Sequence, residues 1–295
     1  MSVEAVPIES AGAIGVGQGA PNLRREFLES LVRQKTFIAG AIILLFWIFC
    51  AIAPHAIASH SAYTPGTSIN TGPSSSHWFG TDQLGRDMFA RVITGARDIL
   101  IIGPLATLLG TIAGTIAGLT MGYSRIVDDI LSRVVEAFLA LPLVVVGILG
   151  VVALGSSNIT LIVVIGIVFS PLIARTVRAA VLLERELDYV SAARLRGETS
   201  LYIMFVEILP NVMAPIMVEF TVRLGYAVFT LVTLSFLGFG LEPPSPNWGA
   251  DIYTNYTVVS SGYWWEVAFD AGAIATLVIG VNMLANSIER ALEDG

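Results

Sequence analysis

Three groups of residues in this 295-residue chain have types and spacings that could do chemistry, and each is a charge arrangement, not a set of catalytic groups. The first is HWFGTDQLGRDMFARVITGARDIL, residues 77–100. There Gly80 and Gly85 supply turn positions, while Asp82, Arg86, Asp87, Arg91 and Arg97 can pair among themselves. That pattern predicts an ion-paired cap ordering the stretch over the helix that follows. The second is ERELDYVSAARLRGETSLYIMFVEILP, residues 184–210, where short helix-forming stretches flank Gly197. The third is Glu219 and Arg223, an i,i+4 pair inside an otherwise apolar stretch. Catalytic signatures are missing. A phosphate-binding loop needs Gly-Lys-Ser or Gly-Lys-Thr, yet the single lysine, Lys35, follows Gln34. No H-E-x-x-H zinc motif and no nucleophile elbow occur, which argues against a membrane-embedded hydrolase. His55, His60 and His77 are expected as exposed interfacial residues, and no metal centre is expected from them.

The elements that must position these groups are set by composition. Of the chain, 55% is hydrophobic and 13% charged, with a mean hydropathy of +0.76. Soluble domains carry about 25% charge, so this chain has too little to coat a globule in water, and lipid is its solvent. A net charge of −7 without clustered Lys and Arg excludes a nucleic-acid partner. A bilayer core takes about 20 apolar residues as helix, because each backbone N–H and C=O must be bonded internally. Charge-free intervals of that length predict spans at about 36–55, 99–123, 137–154, 159–176, 210–237 and 267–288. The third and fourth form a hairpin broken at Gly155, Ser156, Ser157 and Asn158. An all-α membrane protein of six transmembrane helices follows, with residues 1–35 as a partly disordered tail and 36–295 as the membrane domain. Cys50, the lone cysteine, has no partner within the chain for a disulfide.

Positive charge near span ends favours the cytoplasm. Twelve of the 16 Lys and Arg residues fall on one side of this topology, from Arg24, Arg25, Arg33 and Lys35 through Arg194 and Arg196 to Arg290. Both termini are therefore expected in the cytoplasm, with the first span an uncleaved anchor. Residues 242–266 hold no Lys or Arg and end in Tyr263, Trp264 and Trp265, which suit the headgroup level on the far side. No repeat of interrupted segments in matching halves is present, which speaks against an inverted-repeat carrier.

Within residues 184–210, Tyr189–Arg196 reads as a short helix, Gly197 as its left-handed terminator, and Thr199 or Ser200 as the cap of a second helix that Pro210 breaks. Further on, Glu219 lies nine residues past Pro210, about 14 Å along a helix and near mid-bilayer. An isolated charge there costs roughly 2.5–3.5 kcal/mol, so Glu219 and Arg223 either face a pathway or subunit surface or neutralise each other internally. Asp270, Asn282 and Asn286 are weaker candidates of the same kind.

The second segment resembles the membrane permeases of binding-protein-dependent ABC importers, whose signature runs Glu-Ala-Ala, three residues, Gly, nine residues, Ile-x-Leu-Pro. Ala192, Ala193, Gly197, Leu209 and Pro210 match it, while Ser191 stands in place of the Glu and Glu207 in place of the Ile. The first segment, with Phe79, Gly80, Asp82, Gly85, Arg86 and Asp87, is similar to the dipeptide, oligopeptide and nickel subfamily; so are LSFLGFG at 234–240, PPSPNWGAD at 243–251 and Pro142 in ALPLVV. The resemblance covers about residues 38–290. It implies an ABC permease fold with a cytoplasmic coupling helix at Tyr189–Pro210, in a bacterial inner membrane. It also implies partners: a second homologous permease subunit, two cytoplasmic ATPase subunits that bind ATP and Mg, and an extracytoplasmic solute-binding protein. No cofactor is expected in this chain. Dipeptides, longer peptides, glutathione, nickel chelates and oligosaccharides are all solutes of similar subunits. A stand-alone channel or ion-driven carrier is the alternative from another class.

Overall fold

A computed structural model describes residues 31–293, so the expected N-terminal tail lies almost wholly outside the described residues. The chain folds as helices: α1 Lys35–Ile52, α2 Met88–Tyr123, α3 Arg125–Leu139, α4 Leu143–Leu154, α5 Asn158–Glu184, α6 Asp188–Leu195, α7 Ser200–Asn211, α8 Met213–Leu234, α9 Trp248–Asn255 and α10 Trp265–Glu293. No strand occurs among the described residues. Five helices are long and apolar enough to cross a bilayer, namely α1, α2, α5, α8 with its extension to Phe239, and α10. A sixth crossing exists if α3 and α4, which meet at 94°, count as one broken span.

That break has a sequence cause. Asp128, Asp129, Arg133 and Glu136 keep α3 too polar for lipid on one side, and Pro142 stands as the extended N-cap residue of α4. The expected third span, about 137–154, thus straddles a bend at Ala140–Pro142. The second apolar interval, 99–123, is only the lower part of α2, whose 36 residues make about 54 Å of helix. Asp87 starts it early by capping Ala90 N at 2.7 Å.

Packing rests on small residues, as expected where lipid removes any hydrophobic drive between helices. Helices α2 and α5 run parallel in the centre, and Gly110, Gly114, Gly118 and Gly122 form one face of α2. A Cβ on Gly114 or Gly118 would stand 2.7 Å from Ile173 Cβ or 2.6 Å from Val177 Cβ, so the helix backbones touch. Antiparallel α1 and α10 meet likewise at Gly40 and Gly280, where a Cβ on Gly40 would lie 2.8 Å from the Gly280 carbonyl. Helix α8 lies against α2, α5 and α10. One end of the bundle carries Trp78, Trp248, Trp264 and Trp265; the other carries α6, α7 and most of the arginines.

Candidate functional site

At the arginine-rich end, α6 and α7 form a helix-turn-helix across the bundle. Gly197 ends α6 at φ +80°, and the Thr199 hydroxyl accepts from Tyr202 N at 3.3 Å to start α7. Upstream of Pro210, residues Ile203–Ile208 widen into a π-turn, which accommodates a residue that cannot donate a backbone bond. The segment is seated through Val190, Ala193, Ile203 and Ile208, all buried in the main core, with Leu209 packed partly against it. Tyr189 Oη donates to Glu184 at 2.7 Å and accepts from Asn211 at 3.1 Å. Burial, then the Glu184 contact, pushes this phenol up to about 12. The neutral phenol is thus favoured by the fold, and its contribution is full below pH 10 and fades as pH rises through 12. Ser191, Ala192, Leu195, Arg196 and Gly197 face outward, Leu195 at 90% exposure. Glu207, where the resembling permeases carry Ile, binds Arg196 at 2.8 Å and ties the two helices together. Arg194 lies over the Tyr123 ring at the end of α2.

At the tryptophan-rich end, residues 54–87 fold into a cap whose signature residues each hold a neighbour. Asp82 Oδ1 accepts from Leu84 N and Arg86 N, and Oδ2 pairs with the Arg86 guanidinium at 2.7 Å. Gly80 and Gly85 take φ +77° and +71°. Phe79 stacks on Phe269 of α10 at 3.8 Å. Arg91, fully buried, is the hub: it pairs with Asp251 of α9 through two guanidinium nitrogens and donates to the Ala62, Pro244 and Ser245 carbonyls. Burial raises the Asp251 carboxyl above its ordinary range even beside Arg91. Trp248 closes the cap from the other side, donating to Val92 O at 2.9 Å over Gly95. The 82–97 charges suggest pairing among themselves; the long-range partner, Asp251, sits 160 residues from Arg91 and carries no local signal.

Between the ends, Glu219 and Arg223 pair along α8 at 2.8 Å, and Thr176 of α5 donates to the other Glu219 oxygen at 2.7 Å. Both side chains are about one-sixth exposed, 15% and 17%. The two charges neutralise each other within α8, and a thin edge of each reaches the surface. Glu219→Gln is expected to keep the Thr176 contact and lower stability by about 1 kcal/mol, whereas Arg223→Gln, which strands a carboxylate, costs more. Unfolding of each variant in detergent checks the order. Asn282 and Asn286 line a cavity of about 400 Å³ between α8 and α10 with Tyr226 and Phe229. Asp270 and Glu266 are buried below the cap without hydrogen-bond partners among the described residues.

The histidines are not all separate interfacial residues. His55 is exposed, but His60 and His77 converge on Asp87, with their rings 4.8 Å apart.

An all-helical bundle with five or six apolar helices long enough to cross a bilayer, an anchored, outward-facing helix pair at one end and a charge-locked cap at the other defines a polytopic membrane protein. Residues 108–294 match the family described as binding-protein-dependent transport system inner membrane component, and the chain belongs to it. It is 37% identical to a dipeptide transport system permease protein of Alkalihalophilus pseudofirmus, over 91% of this chain and 89% of that one. Identity is 33% to a di/tripeptide transport system permease protein of Pseudomonas aeruginosa, over 92% of each chain. It is 34% to a glutathione transport system permease protein of Pectobacterium atrosepticum, over 91% of this chain and 90% of that one. An inward-facing structure of the MetNI methionine ABC transporter shares the fold, with a TM-score of 0.56 at 19% identity over 68% of this chain and 96% of that one. The chain is a multi-pass inner-membrane component of an ABC importer of the peptide subfamily.

Proposed function

We propose that this subunit forms half of the pathway of an ATP-driven importer for peptides, beside a second homologous permease, with two ATPase subunits on its arginine-rich face and a solute-binding protein on its tryptophan-rich face. The arginine-rich end, and with it both termini, lies in the cytoplasm. Peptides are the favoured solute because relatives named for dipeptide and di/tripeptide transport align over nine-tenths of the chain. ATP and Mg are held by the partners, since Lys35 follows Gln34 and no phosphate-binding loop exists in this sequence.

The supporting observation is the exposed turn of α6 and α7. Ala192, Leu195 and Gly197 offer small and apolar surface to a rigid partner, while Val190, Ala193 and Ile208 bind the same segment to the bundle core. Ser191 and Ala192 lie on the outward side with Leu195, and Tyr189 and Pro210 mark the ends of the unit. A partner closing around this turn on ATP binding moves α5 and α8, its two flanking helices, and so exchanges inward and outward openings. ATP shifts that balance only through contacts differing between the two states. Leu195→Asp tests the docking. In the complete complex it is expected to abolish co-purification of the ATPase subunits and lower uptake at least tenfold, with thermal unfolding of the permease unchanged because Leu195 is solvent-facing. Normal uptake with the ATPase retained would overturn the reading.

A further inference from the structure

We propose that His60, His77 and Asp87 form a binding site for an imidazole-preferring divalent metal ion, with Zn²⁺ the natural probe, at the tryptophan-rich end of the bundle. Two histidines from the 54–87 cap meet the carboxylate that starts α2, and one donor atom from each lies within 4.8 Å of the others. Asp87 divides its work. Oδ1 accepts from Ala90 N, which caps the helix, and Oδ2 is turned toward both imidazoles. His77 Nδ1 stands 2.7 Å from Oδ2, and His60 Nδ1 stands 3.6 Å from it. The second distance is beyond a hydrogen bond, yet it is close to the edge of a tetrahedron of ligands about 2.05 Å from a zinc ion, roughly 3.3 Å. Entry of the ion needs His77 to withdraw by about half an ångström and to carry its proton on Nε2 instead of Nδ1, which frees Nδ1 as the ligand atom.

His60 supplies the observation that a simple ion pair does not explain. His77 alone satisfies Asp87 Oδ2, whereas His60 makes no hydrogen bond among the described residues and still aims a ring nitrogen at the same oxygen. Its side chain is 49% exposed, so an ion can enter from solvent. His60 and Asp87 line a cavity of about 300 Å³ with Ser59, Ser75, Ser76 and Trp78, which leaves room for water at a fourth coordination position. Two neutral imidazoles and one carboxylate suit Zn²⁺ or its first-row neighbours better than Ca²⁺ or Mg²⁺, which take oxygen ligands. Bound metal would cross-link the cap at two points to the start of α2.

The experiment is zinc titration of the tag-free full-length chain in detergent, by calorimetry and by the visible spectrum of a Co²⁺ substitute. The expected result is one site per chain with a zinc-dependent rise in unfolding temperature. His60→Ala is expected to weaken binding at least tenfold and remove that rise without changing the unfolding temperature of the metal-free protein. His60→Cys, which restores a zinc ligand, is expected to recover affinity and shift the Co²⁺ spectrum toward thiolate coordination. His55→Ala is expected to change nothing. Absence of stoichiometric binding, or unchanged binding in His60→Ala, would overturn the proposal.

Discussion

Arg91→Leu is expected to destabilise the permease by about 3–5 kcal/mol, enough to remove most folded protein from detergent extracts. The guanidinium is fully buried and serves Asp251 together with the Ala62, Pro244 and Ser245 carbonyls, so one substitution strands four acceptor groups. Because burial already holds the Asp251 carboxyl above its ordinary range with Arg91 present, the pair contributes little net stability. Breaking it is what costs. Arg91→Leu combined with Asp251→Leu is therefore expected to be more stable than Arg91→Leu alone, since an apolar pair leaves no unpaired charge. Unfolding temperature followed by tryptophan fluorescence measures both, Trp248 being packed within the affected cap. A single variant as stable as the wild type would contradict the assignment of Arg91 as the hub.

Gly118→Leu is expected to prevent assembly of the bundle. A Cβ at this position already stands 2.6 Å from Val177 Cβ and 2.8 Å from the Ala174 carbonyl, and a helix backbone cannot step aside as a flexible side chain would. Gly118→Ala should cost about 1–3 kcal/mol, the usual range for overpacking, and leucine more. Gly272 in α10, whose Cβ would meet nothing within 4 Å, is the control: Gly272→Leu should leave the unfolding temperature unchanged. Monodispersity on size exclusion and unfolding temperature separate the variants. A normal profile for Gly118→Leu would mean that α2 and α5 are not held in backbone contact.

The glycine face of α2 was readable in principle, because G-x-x-x-G repeats from 110 to 122 inside an apolar helix signal close packing. Charge-free intervals do not reveal it, since hydropathy scores glycine as neutral and says nothing of faces. The all-α fold and the helix-turn-helix at 188–211 were legible because their determinants are local. Gly197 needs a positive φ, Thr199 caps within three residues, and Pro210 disturbs the turn before it. Long-range partners were not legible. Arg91 with Asp251, His60 with Asp87, and Thr176 with Glu219 are joined only by tertiary packing, and each partner alone looks like an ordinary polar residue. Bending of the third apolar interval falls between these cases: Pro142 was visible, but the size of the turn depends on where α3 finds its polar surroundings.

The central claim is that this chain is a gate without its own motor, driven through the turn between α6 and α7. The most direct measurement is solute accumulation in proteoliposomes loaded with ATP, with the chain and its companion permease reconstituted in the presence or absence of the ATPase subunits and the solute-binding protein supplied outside. The account predicts uphill uptake only when the ATPase subunits are present and Leu195 is intact. Accumulation by the membrane subunits alone, driven by an ion gradient or by ATP, would contradict it.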